Sequence, residues 1–144
     1  MNVKRQIEFD KKYMQFADIW STNSYANRKK VGAIIVRDNQ IISDGYNGTP
    51  SGFDNSCEDA NNVTKPYVLH AEANAITKLA RGTQSSVGST LYVTCSPCLE
   101  CAKLIIQAGI ARVVFKNSYR IDDGIRLLKT AGIKVECLNI DNNG

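Results

Sequence analysis

Four aromatic residues, Phe9, Tyr13, Phe16 and Trp20, recur at three- and four-residue steps near the start of the chain. That period predicts an amphipathic helix over residues 9–21 with its aromatic stripe turned into the core. The period then changes. Residues 30–36 and 41–46 are short runs rich in β-branched side chains, separated by Arg37, Asp38, Asn39 and Gln40, which predicts a β-hairpin and the start of a sheet. Gly48-Thr49-Pro50-Ser51-Gly52 and the polar stretch after it lack periodicity and predict a long loop able to bound a pocket. Residues 70–81 place Ala73, Ile76, Leu79 and Ala80 at helical spacing ahead of Gly82, a helix and its stop. Residues 89–95 read as a strand. Ser96 and Pro97 then open a helix as N-cap and first helical residue, and Gly109 closes it. Residues 111–115, 122–131 and 134–138 add a strand, a helix with Asp122 and Asp123 in its first turn, and a last strand. The predicted order is α-β-β-α-β-α-β-α-β. Helices alternating with strands in the second half require crossovers and a sheet covered on both faces. The expected fold is therefore α/β, a three-layer α/β/α domain on a five-stranded mixed sheet; the direction of the last strand is not given by periodicity.

Composition narrows the class. With 144 residues and 43% hydrophobic content, one domain spanning residues 1–144 is expected, ending in a polar tail at 141–144. No apolar signal-like segment or membrane-length apolar run is visible, so a cytoplasmic location is expected. In a reducing compartment five cysteines, three of them in the run Cys95, Cys98 and Cys101, read as metal ligands or core thiols rather than a disulfide framework. A net charge of +4, scattered except at Arg28, Lys29 and Lys30, excludes a dedicated duplex-binding surface and suits a small anionic ligand. Taken alone, that triplet is equally a solvated basic turn.

The candidate chemistry sits at two predicted helix starts. Catalytic zinc commonly takes three protein ligands and leaves one position open, and His70, Cys98 and Cys101 are a set of that kind. Cys98 and Cys101 lie three apart at a helix amino terminus, which puts both sulfurs on one face where the helix dipole favours thiolates. Glu72, two residues from His70, is a carboxylate placed to take a proton from a zinc-bound water and return it to a substrate. Read singly, a lone histidine, a first-turn glutamate and buried cysteines each have ordinary structural explanations. Joined as His70-Ala71-Glu72 and Pro97-Cys98-Leu99-Glu100-Cys101, they match H-x-E…P-C-x-x-C, the signature of zinc nucleobase deaminases. Cys95 leaves an alternative open: with His70, Cys98 and Cys101 it could close a four-ligand structural site, a zinc-stabilised binding module with no place for water. Against that, Leu91, Val93 and Cys95 share one face of a period-two strand.

Over nearly its whole length the chain resembles the deoxycytidylate (dCMP) deaminase family of the cytidine deaminase-like superfamily. The resemblance runs through Lys30-Val31-Gly32-Ala33-Ile34-Ile35-Val36, Gly45-Tyr46-Asn47-Gly48-Thr49-Pro50-Ser51-Gly52, His70-Ala71-Glu72-Ala73-Asn74-Ala75-Ile76, Leu91-Tyr92-Val93-Thr94 and Pro97-Cys98-Leu99-Glu100-Cys101-Ala102-Lys103. The zinc motifs are shared with tRNA adenosine, guanine and riboflavin-pathway deaminases, whereas the loop from Gly45 to Gly52 is characteristic of the dCMP branch. It implies a cytidine deaminase-like fold, one catalytic Zn2+ per chain, and hydrolysis of dCMP to dUMP and ammonia with Glu72 as the catalytic proton shuttle. It further implies that Asn47 hydrogen-bonds the nucleotide, that the Ala71 backbone N–H meets the cytosine carbonyl, and that Ser24, Arg28 and Tyr119 contact the 5′-phosphate, with Lys30 a further candidate. A homohexamer, activated by dCTP with Mg2+ and inhibited by dTTP, is part of the same implication. No nucleic-acid polymer partner is expected, because an enzyme acting on one usually needs a stronger basic or aromatic surface than the triplet Arg28 to Lys30 offers. Some family members hold a second, structural zinc through extra Cys and His residues before the His-Ala-Glu motif. This chain has a single histidine, so that site is not expected; Cys57 reads as an unliganded thiol and Cys137 as core.

Overall fold

The computed structural model describes residues 2–138; the expected polar tail at 141–144 lies outside the described residues. Helix α1 (Val3–Ser21) leads into the hairpin β1 (Gly32–Arg37) and β2 (Gln40–Tyr46), followed by α2 (Ala71–Leu79), β3 (Thr90–Cys95), α3 (Leu99–Gln107), β4 (Arg112–Asn117), α4 (Asp123–Thr130) and β5 (Lys134–Cys137). Asp38 and Asn39 both take positive φ, 51° and 60°, the conformation a two-residue hairpin turn demands and one these residue types tolerate. The strand order is β2-β1-β3-β4-β5. β1 is antiparallel to both neighbours, while β3, β4 and β5 are mutually parallel. The crossovers α3 and α4 make those parallel pairings possible.

The period of two divides the sheet between two cores. Ala33, Ile35, Leu91, Val93, Val113 and Phe115 face Ala71 and Ala75 of α2, Ala102 and Ile105 of α3 and Leu128 of α4. Ile34, Val36, Tyr92 and Val114 face Tyr13, Met14 and Ala17 of α1. One helix thus covers one face and three cover the other, the expected α/β/α sandwich. Among the described residues no helix is long and apolar enough to cross a membrane.

Several local expectations are corrected. α1 begins at Val3, not at residue 9, because Asn2 caps it by accepting a hydrogen bond from the Arg5 N–H at 2.8 Å; its first turns are polar and carry no hydrophobic period. The aromatic stripe is not the core face. Tyr13 is buried, but Phe16 and Trp20 are exposed, and the inward stripe is Asp10, Tyr13, Met14 and Ala17. Asp10 is tolerated there because Arg112 pairs with it at 2.6 Å and Tyr92 donates to it at 2.6 Å. Burial alone would raise the Asp10 carboxyl, yet those hydrogen bonds, led by Arg112, hold it below the usual carboxylate range. Ser96 does not cap α3: its N–H donates to Asn117 O and its hydroxyl accepts from the Tyr119 N–H, so the cap falls to Cys98. Asp122 likewise stands at the cap, leaving Asp123 as the first-turn acid of α4. Cys137 ends an edge strand and is exposed rather than core.

Candidate active site

His70 and Cys98 occupy equivalent positions. Each is the N-cap of its helix, with extended backbone, and neither side chain turns back to cap its own helix. An N-cap side chain ordinarily satisfies an orphan N–H of the first turn; here both are directed at one another instead. Nδ1 of His70 lies 3.4 Å from Cys98 Sγ and 3.3 Å from Cys101 Sγ. Among the described residues, these three supply ligand-type atoms all within 4.8 Å of one another. A tetrahedral zinc with ordinary Zn–S and Zn–N bonds separates its nitrogen and sulfur ligands by about 3.5 Å, so the trio fits a zinc ion. Cys95 is outside the cluster, its Sγ accepting from Lys29 Nζ at 3.2 Å, and the closed four-ligand alternative lacks its fourth donor.

Three contacts bring the two helix starts to this point. Gly48 and Leu69 exchange backbone hydrogen bonds of 3.0 and 2.8 Å, closing the long loop immediately before His70. Asn74 Nδ2 donates to Tyr46 O at 2.8 Å, fastening α2 to the end of β2. On the other side Gly124 lets α4 press on the Pro97–Cys98 turn, since a Cβ there would lie 2.2 Å from Pro97 O.

The electrostatics suit a cation. The hydrogen bond from the Cys101 thiol, then that from His70, brings the Cys98 thiol down to about 3. Its partners move the other way: Cys101 is raised by its bond to Cys98 and by burial, and His70 is raised chiefly by its bond to Cys98. The three donors thus hold one another through hydrogen bonds that a divalent ion would replace. Glu72 is buried at 4% exposure, and burial pushes its carboxyl up to about 7, against the pull of its own backbone N–H and of His70. A carboxyl poised there can both accept and give a proton near neutrality.

A cavity of about 300 Å³ opens over these groups, within the range of small-molecule sites. Its lining brings together His70, Ala71, Glu72 and Cys98 with Asn47, Arg28 and Tyr119. Ser24 and Lys30 line a neighbouring hollow instead. The Ser24 hydroxyl donates to Asn47 O at 2.9 Å and accepts from the Ala26 N–H, so its proton is committed to holding the Asn47 backbone. Asn47 is also a clamp: Oδ1 accepts from Val31 N–H at 2.9 Å and Nδ2 donates to Lys29 O at 2.8 Å. One amide hydrogen and one lone pair remain for a ligand. Burial, then Cys95, raises the Tyr119 phenol, keeping it a donor at neutral pH. Cys57 is buried in the cavity wall, its thiol pushed up by burial. Sequence reasoning missed Glu58. This buried residue lines the cavity and its carboxylate accepts from the Asn27 and Arg28 N–H groups at 3.0 to 3.2 Å. Nothing local marks an acid in an aperiodic loop for a partner thirty residues away in sequence.

A three-donor cluster beside a buried carboxyl, in a ligand-sized cavity, is an arrangement of the class that metal-dependent enzymes use. The family model for the cytidine and deoxycytidylate deaminase zinc-binding region matches residues 7–117, and the chain belongs to that family. It is 36% identical over 137 residues to the deoxycytidylate deaminase of Saccharomyces cerevisiae, matching 88% of this chain but spanning only 44% of that protein. It is 35% identical to the deoxycytidylate deaminase of Enterobacteria phage T4, over 85% of this chain and 86% of that protein. Among solved structures, the dCMP deaminase of cyanophage S-TIM5 in complex with dCMP and dUMP superposes with a TM-score of 0.89 at 46% identity, covering 95% of this chain and 98% of that one.

Proposed function

We propose that the chain hydrolyses dCMP to dUMP and ammonia, in the role of supplying dUMP for thymidylate synthesis. The observation that carries this reading is the buried Glu72 beside the His70, Cys98 and Cys101 trio, in one cavity with the exposed Arg28 and Tyr119. The nucleotides held by the cyanophage relative support the substrate assignment. His70 Nδ1, Cys98 Sγ and Cys101 Sγ would hold the zinc ion. When bound, zinc supplies a Lewis acid that makes water a nucleophile near neutral pH.

Glu72 takes a proton from the attacking water as oxygen adds to C4 of the ring, and passes it to N3. It then relays the second proton to the exocyclic nitrogen; the C4–N4 bond breaks and ammonia leaves, so one water is consumed and one amino group lost. The Ala71 N–H, in the first turn of α2 where no intrahelical partner exists, holds the ring carbonyl. Asn47 uses its remaining donor and acceptor on the nucleotide, and Arg28 with the Tyr119 hydroxyl holds the 5′-phosphate. Ser24 joins them only by releasing Asn47 O. The resemblance extends the reading to a homohexamer activated by dCTP with Mg2+ and inhibited by dTTP; a saturation curve unmoved by dCTP and Mg2+ removes that part alone.

Two measurements test the core. Ammonia release from dCMP, deoxycytidine, dCTP and a tRNA anticodon stem should favour dCMP, and a preference for the stem would make the chain a tRNA deaminase. Glu72→Gln should retain near-stoichiometric zinc while kcat falls by about a hundredfold or more; full activity would show the proton relay to be misassigned.

A further inference from the structure

Lys29 is an exposed residue of the cavity wall whose backbone and head group are both tethered. Its carbonyl accepts from Asn47 Nδ2, and the Arg28 N–H before it donates to the buried Glu58 carboxylate. Its ammonium donates to Cys95 Sγ at 3.2 Å and stands 5.0 Å from the centre of the Tyr119 ring. Cys95 is only 2% exposed, so the thiol is a fixed anchor rather than a passing surface contact. Neither a thiol nor an aromatic ring neutralises the cation, and two of its three donors stay free. Among the described residues, Lys29 forms no ion pair. Of the acids lining the same cavity, Glu58 is committed to the Asn27 and Arg28 N–H groups, and Glu72 is buried beside the metal ligands.

We propose that Lys29 is a second phosphate-binding cation of this site, presented by Cys95 and Tyr119, and that it sets the preference for a nucleoside monophosphate over the free nucleoside. The proposal rests on the dCMP reading above. A phosphomonoester carries close to two negative charges near neutrality, and Arg28 alone answers one of them. Lysine adds a compact point charge where the guanidinium supplies a planar fork. Cys95 acts as a positioning residue: it reduces the freedom of a side chain that would otherwise sample solvent.

The test is kcat/KM with dCMP and with deoxycytidine, measured on the zinc-loaded full chain. Lys29→Met should lower the dCMP to deoxycytidine ratio by roughly tenfold or more, mostly through KM for dCMP, the effect of losing one charge-assisted hydrogen bond. Lys29→Arg should recover part of it. Cys95→Ala should lower the same ratio less, and Cys95→Ser, which keeps an acceptor, should restore it. An unchanged ratio in Lys29→Met, or an equal fall with both substrates, overturns the proposal while leaving dCMP as the substrate. A wild-type chain that processes both substrates equally removes the phosphate reading itself, and this proposal with it.

Discussion

Replacing Gly124 by alanine tests how far the metal site depends on the packing of α4. An added Cβ would lie 2.2 Å from Pro97 O, 2.7 Å from the Cys98 carbonyl carbon and 2.8 Å from Cys98 O. All three are backbone atoms, so no side chain can swing aside. Real Cβ atoms essentially never approach closer than 3.0 Å, so the helix or the Pro97–Cys98 turn must move by most of an ångström. Overpacking of this kind costs about 1–3 kcal/mol. The larger effect falls on the metal, because Cys98 is the residue displaced and ligand distances tolerate only about 0.2 Å. Zinc affinity should fall on the order of ten- to a hundredfold, as for loss of a ligand's supporting contacts. Competition against a chromophoric chelator measures it, with thermal unfolding of metal-loaded and metal-free protein alongside. Gly132→Ala is the control. That residue has φ of 85° and nothing within 4 Å of an added Cβ, so it should cost roughly 1 kcal/mol through backbone strain and leave zinc binding untouched. Wild-type zinc affinity in Gly124→Ala would show that α4 does not hold Cys98 in place, and an equal loss in Gly132→Ala would show that the effect is not local to the Pro97–Cys98 turn.

Other consequences are open to measurement. Ionised Asp10, its carboxyl held low by Arg112 despite burial, adds stability that is fully present above its unfolded value of about 4 and disappears as pH falls through the lower folded value. Asp10→Asn should therefore lose about 3 kcal/mol at neutral pH by leaving Arg112 underpaired and flatten the acid limb of stability against pH; parallel limbs in urea titrations would dismiss the ion pair as the cause. Because Cys95 stands outside the ligand trio, Cys95→Ser should keep its zinc by elemental analysis, and complete loss would reinstate a four-ligand site.

The nine elements of the described residues and their order were legible in the chain because periods of 2 and 3.6 are local properties, expressed within a few residues of any position. The same holds for the trio and Glu72. His70 with Glu72, and Cys98 with Cys101, are each set by short spacing at a helix start, so joining the two motifs required no knowledge of the path between them. What depended on distant partners was not legible. The inward face of α1 is centred on Asp10, Met14 and Ala17 rather than on the aromatic stripe, since Arg112 of β4 makes a buried carboxylate tolerable there. Cys98 rather than Ser96 stands at the N-cap position of α3, because Asn117 and Tyr119 claim the serine. The cavity wall was decided in the same way. Glu58 fixes the Arg28 loop, Asn47 clamps residues 29–31, and Cys95 with Tyr119 aims Lys29. The chemistry proposed for the site was readable from the chain alone, because it resides in residue types at short spacing. Which cations face the cavity, and which side chains are already committed, was settled by packing, because hydrogen bonds and burial link residues far apart in the chain and leave no local pattern behind.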